Sequence, residues 1–561
     1  MTVENEKITG QVQKRYVGLV NERNNHIPLW TDIRDFLAPR TARFEGETNN
    51  DGTRQDLNII NTSPRFAVRT LPAGMQSGVT NPMRPWFRLG TGDPDLEKFK
   101  PVKLWLGEVE RLMRIVMSRS NLYDRLKSNY GVLGAYGTSC LFIDDSPEDV
   151  IRAYDYPIGS WCLATDDEGR TDTMYRDLTM TVVQWVGKFG LKKCPDYIKI
   201  AYDQGDYETR FPLVHIIEPN KQFKPGSALS HQKRWASIWM VFEKTGTTSI
   251  IHYGGYDDQP LFGPRWDLVG DDTYGMGCGE YAIGDSKQLQ LGEKRALQIV
   301  DKFANPSMVA DASLRNQRKS TLPGDTTYLN GLTATGNQGF RPAYQINNPA
   351  LDMLESKQRQ VELRIDEAFY KNLFLMVTEL GDQPNITATQ INTMREEKLM
   401  MLGPVLERLN DELLDPMIDR IFNSMLRRGM FPEPPEDIQG VPLKVEYVSV
   451  LAQAQKAMGI GNIERMTGYV GELATMFPEA GAKLNVNEAI NAYADGTGVP
   501  PALINSDEEA EEKVAAAQKA QQEQAMMDQM KPMADSIKSL SETEVQGDPV
   551  IDRALEGLSG Q

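Results

Sequence analysis

Apolar residues recur every three or four positions over much of the chain, which predicts a protein built mainly of amphipathic helices. Ser63, followed by Pro64, is a candidate cap at the start of the second helix. The predicted helices cover residues 11–38, 62–78, 98–119, 121–137, 285–304, 349–375, 387–429 and 456–504. At 1.5 Å per residue, the two central helices, 285–304 and 349–375, are each about 30–40 Å long.

Between residues 150 and 280 the pattern changes to short β-branched and aromatic runs, which Gly, Pro and Asp separate. Such runs with short links are typical of an antiparallel meander. Earlier in the chain, the prolines around Trp86–Phe87 predict an extended segment whose two aromatic side chains enter a core. The predicted strands cover residues 138–145, 151–158, 173–180, 197–202, 211–219, 235–243 and 249–254.

The two central helices are separated by a segment rich in Pro and Gly. Within it, Thr326–Thr335 contains the Asn-Gly pair that is typical of a type I′ β-hairpin. A long helical hairpin buries little surface against itself, so we expect copies of the chain to cover the remaining apolar stripes in a ring. The stripe of the second central helix consists of Leu354, Val361, Ile365, Ala368 and Phe369.

The charge is distributed unevenly. The chain has 61 Lys and Arg against 78 Asp and Glu, a formal charge of −17. Residues 506–561 contain thirteen acids and five bases, a net of −8, whereas residues 1–90 carry +3 and residues 284–375 carry +2. This balance argues against a free-standing basic DNA-binding protein. The Ala- and Gln-rich acidic tail is expected to be either disordered or, when oligomerised, a helical barrel.

Motifs that carry chemistry are missing. The sequence has no Walker A motif, no G-x-S-x-G, no H-E-x-x-H and no C-x-x-C. Gly275–Glu280 (GMGCGE) lacks the third glycine of a dinucleotide site, and the four histidines have no second ligand at helical spacing. No run of 18 apolar residues occurs. We therefore predict no catalytic residue, no cofactor, no metal and no membrane-spanning helix.

Five segments, in this order, resemble the portal, or head-to-tail connector, proteins of short-tailed, T7-like bacteriophages. The first is W-x-x-I-x-x-F-x-x-P-R, formed by Trp30, Ile33, Phe36, Pro39 and Arg40. The others are residues 71–89, which end in the Pro-Trp-Phe segment, and residues 120–144, 386–422 and 446–457. These segments match in composition and order and contain no catalytic signature.

The resemblance implies an α+β, mainly helical, portal-type fold, assembled as a ring around a central channel. It divides the chain into regions that the family calls wing, stem, clip and crown. These would be the N-terminal wing 1–283, the first stem helix 284–304, the clip 305–345, the second stem helix 346–375, the C-terminal wing 376–444 with a channel loop 376–386, the crown 445–505 and the tail or barrel 506–561.

The resemblance also implies a function. A homo-oligomeric ring of twelve subunits would occupy one capsid vertex of the virion, after synthesis in the host cytoplasm. Double-stranded DNA would pass through it during packaging and ejection. The implied partners are the major capsid protein, the scaffolding protein, the large terminase subunit and then the tail adaptor or nozzle proteins, with internal core proteins also considered. No enzymatic activity and no membrane partner are implied.

Candidate residues follow from this assignment. Basic side chains of the stem are expected either to touch DNA in passing or to pair with acids across subunits: Lys287, Lys294, Arg295, Lys302, Lys357, Arg359 and Arg364. The channel loop would present Glu379, Asp382, Gln383 and Asn385. The clip residues Arg315, Arg318 and Lys319 would dock the motor and then the adaptor.

Two other functions remain open from the sequence. One is a structural head–tail adaptor ring without a packaging role, although adaptors are usually smaller and lack a long helical hairpin with a β tip. The other is a packaging nuclease or ATPase, which the missing Walker motif and the isolated histidines disfavour.

Overall fold

Helices and strands alternate in blocks along the chain, which gives an α+β fold. A computed structural model describes residues 2–44, 54–91, 93, 96, 99–242, 248–310, 340–342, 348–374, 402–438, 444–447, 463–474, 476–477, 479, 484–497, 509–510 and 513–519. The helices are α1 Thr2–Phe36, α2 Ser63–Gly78, α3 Lys100–Arg119, α4 Leu122–Tyr136, α5 Val182–Phe189, α6 Asp196–Asp203, α7 Cys278–Ala304, α8 Asn348–Ala368, α9 Gly403–Leu409, α10 Asp415–Arg427 and α11 Val486–Thr497.

The strands are β1 Phe87–Gly90, β2 Leu141–Ser146, β3 Val150–Asp155, β4 Trp161–Thr165, β5 Thr171–Thr181, β6 Arg210–Pro219, β7 Trp235–Phe242, β8 Thr248–Tyr256, β9 Leu261–Phe262, β10 Met308–Ala310, β11 Phe340–Pro342 and β12 Lys444–Tyr447. They form a five-stranded sheet in the order β4-β5-β6-β7-β8, a three-stranded sheet β3-β2-β9, and the pairs β1-β12 and β10-β11. Every one of these pairings is antiparallel, as the meander pattern predicts.

Helices cover both faces of the five-stranded sheet. On one face, Val12 of α1 packs against Tyr175, Val214 and Ile238 of the strands. On the other face, α5 and α6 bury apolar side chains against β6 and β7; these are Val182, Trp185, Phe189 and Ile198. Along each central strand, side chains therefore point alternately to the face covered by α1 and to the face covered by α5 and α6, as expected for a sheet between two helical layers.

Several segments differ from the sequence-based expectation. Residues 197–202 were predicted as a strand, but they form most of α6. Pro195 precedes this helix, and it buries Ile198 and Ala201 while Ile200 points to solvent. This three-residue spacing is that of a helix, despite the β-branched and aromatic composition. Strand β4 and helix α5 were not predicted at all; α5 begins with a capping box between Thr181 and Gln184.

Helix starts and ends also differ in detail. The cap of α2 is Thr62 rather than Ser63, and no side-chain capping bond forms there. The first helix extends back to Thr2, and Pro28 lies inside it. The helix predicted over 387–429 contains a π-helical segment, Asn410–Leu414, between α9 and α10. The prediction for Trp86 and Phe87 is confirmed: both side chains are buried.

The chain separates into two compact units. The first contains residues 1–96 and 105–456, and the second contains residues 97–104 and 457–561. Among the described residues of the second unit, 463–474, α11 and 513–519 are helical. Tyr493 Oη donates to Glu464 at 3.1 Å, and Lys100 forms an ion pair with Glu509. The helical character predicted for residues 456–504 is confirmed at 463–474 and in α11.

Candidate functional site: the central helical hairpin

Helices α7 and α8 pack against each other as an antiparallel pair. The guanidinium of Arg364 on α8 pairs with Asp285 near the start of α7, at 2.6 Å. About two turns further along α7, Gly292 lies beside Gln358 of α8. Contact positions thus run in opposite directions on the two helices. The helices predicted over 285–304 and 349–375 are confirmed as a packed antiparallel pair, although α7 begins earlier, at Cys278, and α8 ends earlier, at Ala368.

A polar clamp holds the base of the hairpin. The buried side chain of Gln290 accepts bonds from the backbone N–H groups of Ile60 and Asn61, at 2.6 and 2.8 Å. Its amide donates to the Asn61 carbonyl at 2.8 Å. Asn61 Nδ2 and Ser63 Oγ in turn donate to Glu362 of α8, at 2.9 and 3.0 Å. One loop of the N-terminal region therefore ties both helices together.

The start of α7 is fixed by close backbone approach. A Cβ atom at Gly277 would lie 2.4 Å from the Gly137 nitrogen, and one at Gly137 would lie 2.3 Å from the Gly275 carbonyl oxygen. Gly137 also has φ +82°, which glycine tolerates best. The glycines of the GMGCGE run thus join the end of α4 to the root of the hairpin, and they form no phosphate cradle there.

One face of α7 carries small and apolar side chains near the start of the helix and again near its end, with Glu293 between them, and only the first half is covered within the subunit. Ala282, Ser286 and Leu289, spaced by three or four residues, are buried within the subunit. The same line continues through Leu297 and Val300, whose exposed fractions are 58% and 53%. Large aliphatic side chains in a continuous exposed row mark a contact surface. In α8, Val361, Ile365 and Phe369 of the predicted stripe are buried.

The predicted basic residues of the hairpin fall into two groups. Lys287 pairs with Asp32 of α1 at 2.6 Å, and Arg364 pairs with Asp285, so both ion pairs lie within one subunit. The Asp285 carboxylate raises the pKa of the Arg364 guanidinium through their hydrogen bond. The remaining five basic side chains are exposed: Lys294, Arg295, Lys302, Lys357 and Arg359.

The face of α7 that carries the lysines is separate from its apolar face. Lys287, Leu291, Lys294 and Lys302 follow one another at near-helical spacing. On average the lysines lie more than about 90° around the helix from the apolar row, although Lys294 is only about 60° from Leu297, three residues later. The hairpin therefore presents one surface suited to apolar packing and another that carries positive charge.

Other predicted site residues lie outside the part of the chain that the structure describes. They are the channel-loop residues Glu379, Asp382, Gln383 and Asn385, and the clip residues Arg315, Arg318 and Lys319. The same holds for the Asn-Gly hairpin predicted at Thr326–Thr335. The strands β10 and β11, which pair with each other, lie near the two ends of the segment 305–345 predicted as the clip.

Sequence reasoning missed the clamp. Gln290 and Asn61 are separated by 229 residues, and no local motif connects them. A buried Gln on an otherwise apolar face was the available signal, because such a side chain needs hydrogen-bond partners.

The residues that the structure describes show no metal-binding group and no membrane-spanning helix. They contain no group of three His, Cys, Asp or Glu side chains placed to hold a metal. Cys140, Cys162, Cys194 and Cys278 are all buried and reduced. Among the described helices, none combines the length and apolar character that a membrane crossing requires.

Comparison with known proteins gives consistent similarities. Residues 9–504 match the sequence model of a family described as bacteriophage head to tail connecting protein. The chain is 40% identical over 553 residues to the portal protein of Salmonella phage epsilon15, covering 98% of both chains. It is 36% identical over 549 residues to the probable portal protein of Bordetella phage BPP-1, covering 97% of this chain and 98% of the relative.

Among solved structures, similar chains occur in gene transfer agent particles. A chain from the virion of a native particle overlaps 75% of this chain and 92% of its own length, with a TM-score of 0.34 and 11% identity. A chain from the neck of an empty particle overlaps 72% and 86%, with a TM-score of 0.36 and 11% identity. These scores are too low to establish a shared fold.

Proposed function

Because this chain belongs to the family of bacteriophage head-to-tail connecting proteins, the portal proteins, we propose that it closes into a ring of twelve copies at one vertex of a phage capsid. Double-stranded DNA passes through this ring as the genome is packaged and again as it is ejected. The protein acts as a structural conduit and not as an enzyme. Its relatives align over nearly their full length, so the role concerns the whole chain.

The observation that carries this proposal is the uncovered half of the apolar face on α7. Leu297 and Val300 extend a row that is buried within the subunit closer to the helix start. Burying an aliphatic side chain of this size contributes about 1.5–3 kcal/mol. In a ring, the apolar row of α7 in each subunit can pack against another surface of the neighbouring subunit. Because the ring is closed, no subunit is left with this row exposed.

The charge distribution suits DNA in transit. Twelve copies carry a formal charge of about −200, so the assembly as a whole repels a polyanion. A lining of many unpaired lysines would bind phosphates tightly through counterion release and hold the DNA in place. All seven predicted basic residues on the hairpin are exposed, and two of them already pair with carboxylates of the same subunit. The other five support brief contacts: Lys294, Arg295, Lys302, Lys357 and Arg359.

The regions of the chain are assigned to the parts of this proposed ring. We place the N-terminal wing at 1–283, the stem at 284–304 and 346–375, the clip at 305–345, the remaining wing at 376–444 and the crown at 445–505. The antiparallel packing of α7 and α8 supports the stem assignment. The pairing of β10 with β11 is consistent with a β element at the clip.

The partners follow from this position in the virion. The wing would face the major capsid protein and, during assembly, the scaffolding protein. The clip would bind the large terminase subunit first and the tail adaptor or nozzle proteins later, through Arg315, Arg318 and Lys319. Reversing these three charges should abolish packaging or tail attachment and leave the ring intact. Normal packaging and normal tail attachment in that variant would refute the clip assignment.

Electron-microscopic class averages of the purified full-length protein test the ring directly. We expect a closed ring with twelvefold symmetry and a bore that admits duplex DNA. A ring too narrow for DNA would favour a structural adaptor instead. A protein that stays monomeric, both purified and in assembled particles, would contradict the proposal.

A further inference from the structure

A cavity of about 700 Å³ lies on the face of the five-stranded sheet that is opposite α1. Its floor is formed by strands β5 to β8, and its walls are formed by α5 and the β2–β3 hairpin. This volume is within the range of small-molecule binding sites in proteins. The cavity belongs entirely to the first compact unit and is remote in sequence from the central hairpin.

Three cationic side chains line the cavity. The Arg176 guanidinium lies 3.5 Å from the centre of the Tyr156 ring, and the Lys188 ammonium lies 3.7 Å from the centre of the Trp239 ring. Lys193 contributes the third charge. None of the three has a carboxylate oxygen within ion-pair distance among the described residues, and the buried Arg176 Nε has no hydrogen-bond partner there.

A single carboxylate lines the same cavity, and it already has partners. Asp144 Oδ1 accepts hydrogen bonds from Tyr256 Oη and from the Asp145 backbone, both at 3.0 Å. With neutral histidines the lining therefore carries an excess of positive charge, in a chain whose formal charge is −17. Cations that lack a carboxylate partner and sit in a concave site favour an anionic ligand.

A buried histidine supplies the second feature of the site. His215 is 1% exposed and stacks on Trp239 with ring centres 3.8 Å apart. Its Nε2 is 2.9 Å from Ser237 Oγ, whereas its Nδ1 has no hydrogen-bond partner within the described chain. Burial lowers the pKa of His215 well below its ordinary value, so the ring stays neutral near pH 7. Because this nitrogen is closed off from solvent, His215 shapes the floor of the cavity as a neutral ring.

Aromatic rings complete the lining. Tyr154, which is exposed, stacks near Tyr156, and Phe142 and Tyr256 stand at right angles to one another beside them. Rings of this kind bind planar groups by stacking, and they do so for every nucleobase. His252 is also exposed at the rim.

We propose that this cavity binds a nucleoside monophosphate, either free or as the 5′ end of a DNA strand. The phosphate lies among Arg176, Lys188 and Lys193, and the base packs against the exposed ring of Tyr154. The site is independent of ring closure, because all of its residues come from one subunit. A monomeric protein that still binds the nucleotide would refute the ring and leave this site standing.

Isothermal titration calorimetry of the full-length protein tests the site. The probes are 2′-deoxyadenosine 5′-monophosphate (dAMP), inorganic phosphate and deoxyadenosine. We expect dAMP to bind at least about tenfold more tightly than either fragment, because it makes the charged and the stacking contacts together. Equal affinity for dAMP and phosphate would contradict the base contacts, and no saturable binding of dAMP at low-millimolar concentration would overturn the proposal.

Two neighbouring lysines provide a matched pair of variants. Lys193→Glu and Lys188→Glu should each weaken dAMP binding by at least about tenfold. Lys192→Glu makes the same charge change at an exposed position that does not line the cavity, and it should change the affinity by less than about twofold. Both lysines of the cavity are on the surface, so folding is expected to be intact, which circular dichroism verifies. Equal losses of dAMP affinity in Lys192→Glu and Lys193→Glu would contradict the assignment of the cavity as the binding site.

A competition experiment separates the two sources of the ligand. A short oligothymidylate with a 5′ phosphate is compared with the same strand lacking it, each added to the dAMP complex. Displacement by the phosphorylated strand alone identifies a strand end as a ligand. Binding of dAMP without displacement by either strand identifies a free nucleotide. Displacement by both strands equally would contradict recognition of the terminal phosphate.

Discussion

Asp155, the last residue of β3, is a carboxyl group that is buried against α4. Ser128 Oγ donates to Oδ2 at 2.5 Å, and Asn129 Nδ2 donates to Oδ1 at 3.2 Å. These neutral donors only partly replace water, and burial raises the pKa of Asp155 to about 6. The unfolded chain releases this proton near pH 4, at about 3.9. Between these two pH values the folded state binds more protons, so the contribution of Asp155 to stability falls as the pH rises.

Replacing Asp155 by Asn tests this linkage. An amide has the same shape, can accept from Asn129 and can donate to Ser128 Oγ. We expect Asp155→Asn to match the wild-type stability at pH 4 and to exceed it by about 1–3 kcal/mol above pH 6. Urea or thermal midpoints measured from pH 4 to 7 give the comparison, with the exposed Glu148→Gln as control. A difference that does not change across this range would show that Asp155 titrates normally.

A buried ion pair gives a second prediction at the same scale. The side chain of Arg265 is 4% exposed and pairs at 2.6 Å with Glu412, which is 12% exposed and lies in the π-helical segment. Glu412→Gln leaves the guanidinium buried without its counter-charge, so we expect a loss of about 3–5 kcal/mol in the free energy of unfolding. Glu108→Gln in the exposed pair with Arg111 should cost less than about 1 kcal/mol. Similar urea midpoints for the two variants would contradict this expectation.

At the scale of elements, a long period-3.6 pattern was enough to predict the central helices and most others, because each buries a continuous stripe. Short segments were harder to assign to a helix or a strand from the sequence. In α6, Ile198 and Ile200 suggested a strand, and only their opposite burial identifies the helix. The seven basic residues of the hairpin could be named from the sequence, but their ion pairs could not. Lys287 finds Asp32 across 255 residues, a contact that depends on how α1 packs.

The clamp at the hairpin base supports a prediction about these two helices together. Gln290→Leu removes one side chain that satisfies three backbone groups of Ile60 and Asn61. Each buried group left unsatisfied costs about 1–3 kcal/mol, so we expect faster amide hydrogen exchange at residues 60–61 and a lower thermal midpoint. Gln288→Leu, at an exposed position of the same helix, serves as control. Unchanged exchange at residues 60–61 in Gln290→Leu would show that the clamp contributes nothing.

At the scale of the whole molecule, the two faces of α7 have different consequences. An acidic chain needs few basic contacts to let DNA pass, but it needs apolar contacts to hold copies together. The side chains that serve these two needs lie on different faces of one helix. A substitution can therefore separate assembly from charge, provided that it changes one face and leaves the other intact.

The variant Leu297→Glu tests whether ring assembly can be disrupted without changing the lysine-bearing face. If copies close side by side over the apolar face, each contact in the ring acquires a buried carboxylate, which is unfavourable even with Lys294 three residues away on the same helix. We expect rings to require at least about a tenfold higher protein concentration to form, while circular dichroism shows an unchanged fold, because Leu297 is exposed in the single subunit. Gln298→Glu introduces the same charge one residue away, on the lysine-bearing face, and should assemble normally.

Light scattering coupled to size exclusion, followed by electron microscopy, measures the ring fraction. Normal rings with Leu297→Glu would place the subunit contact elsewhere, and equal loss of rings in both variants would point to charge rather than apolar packing.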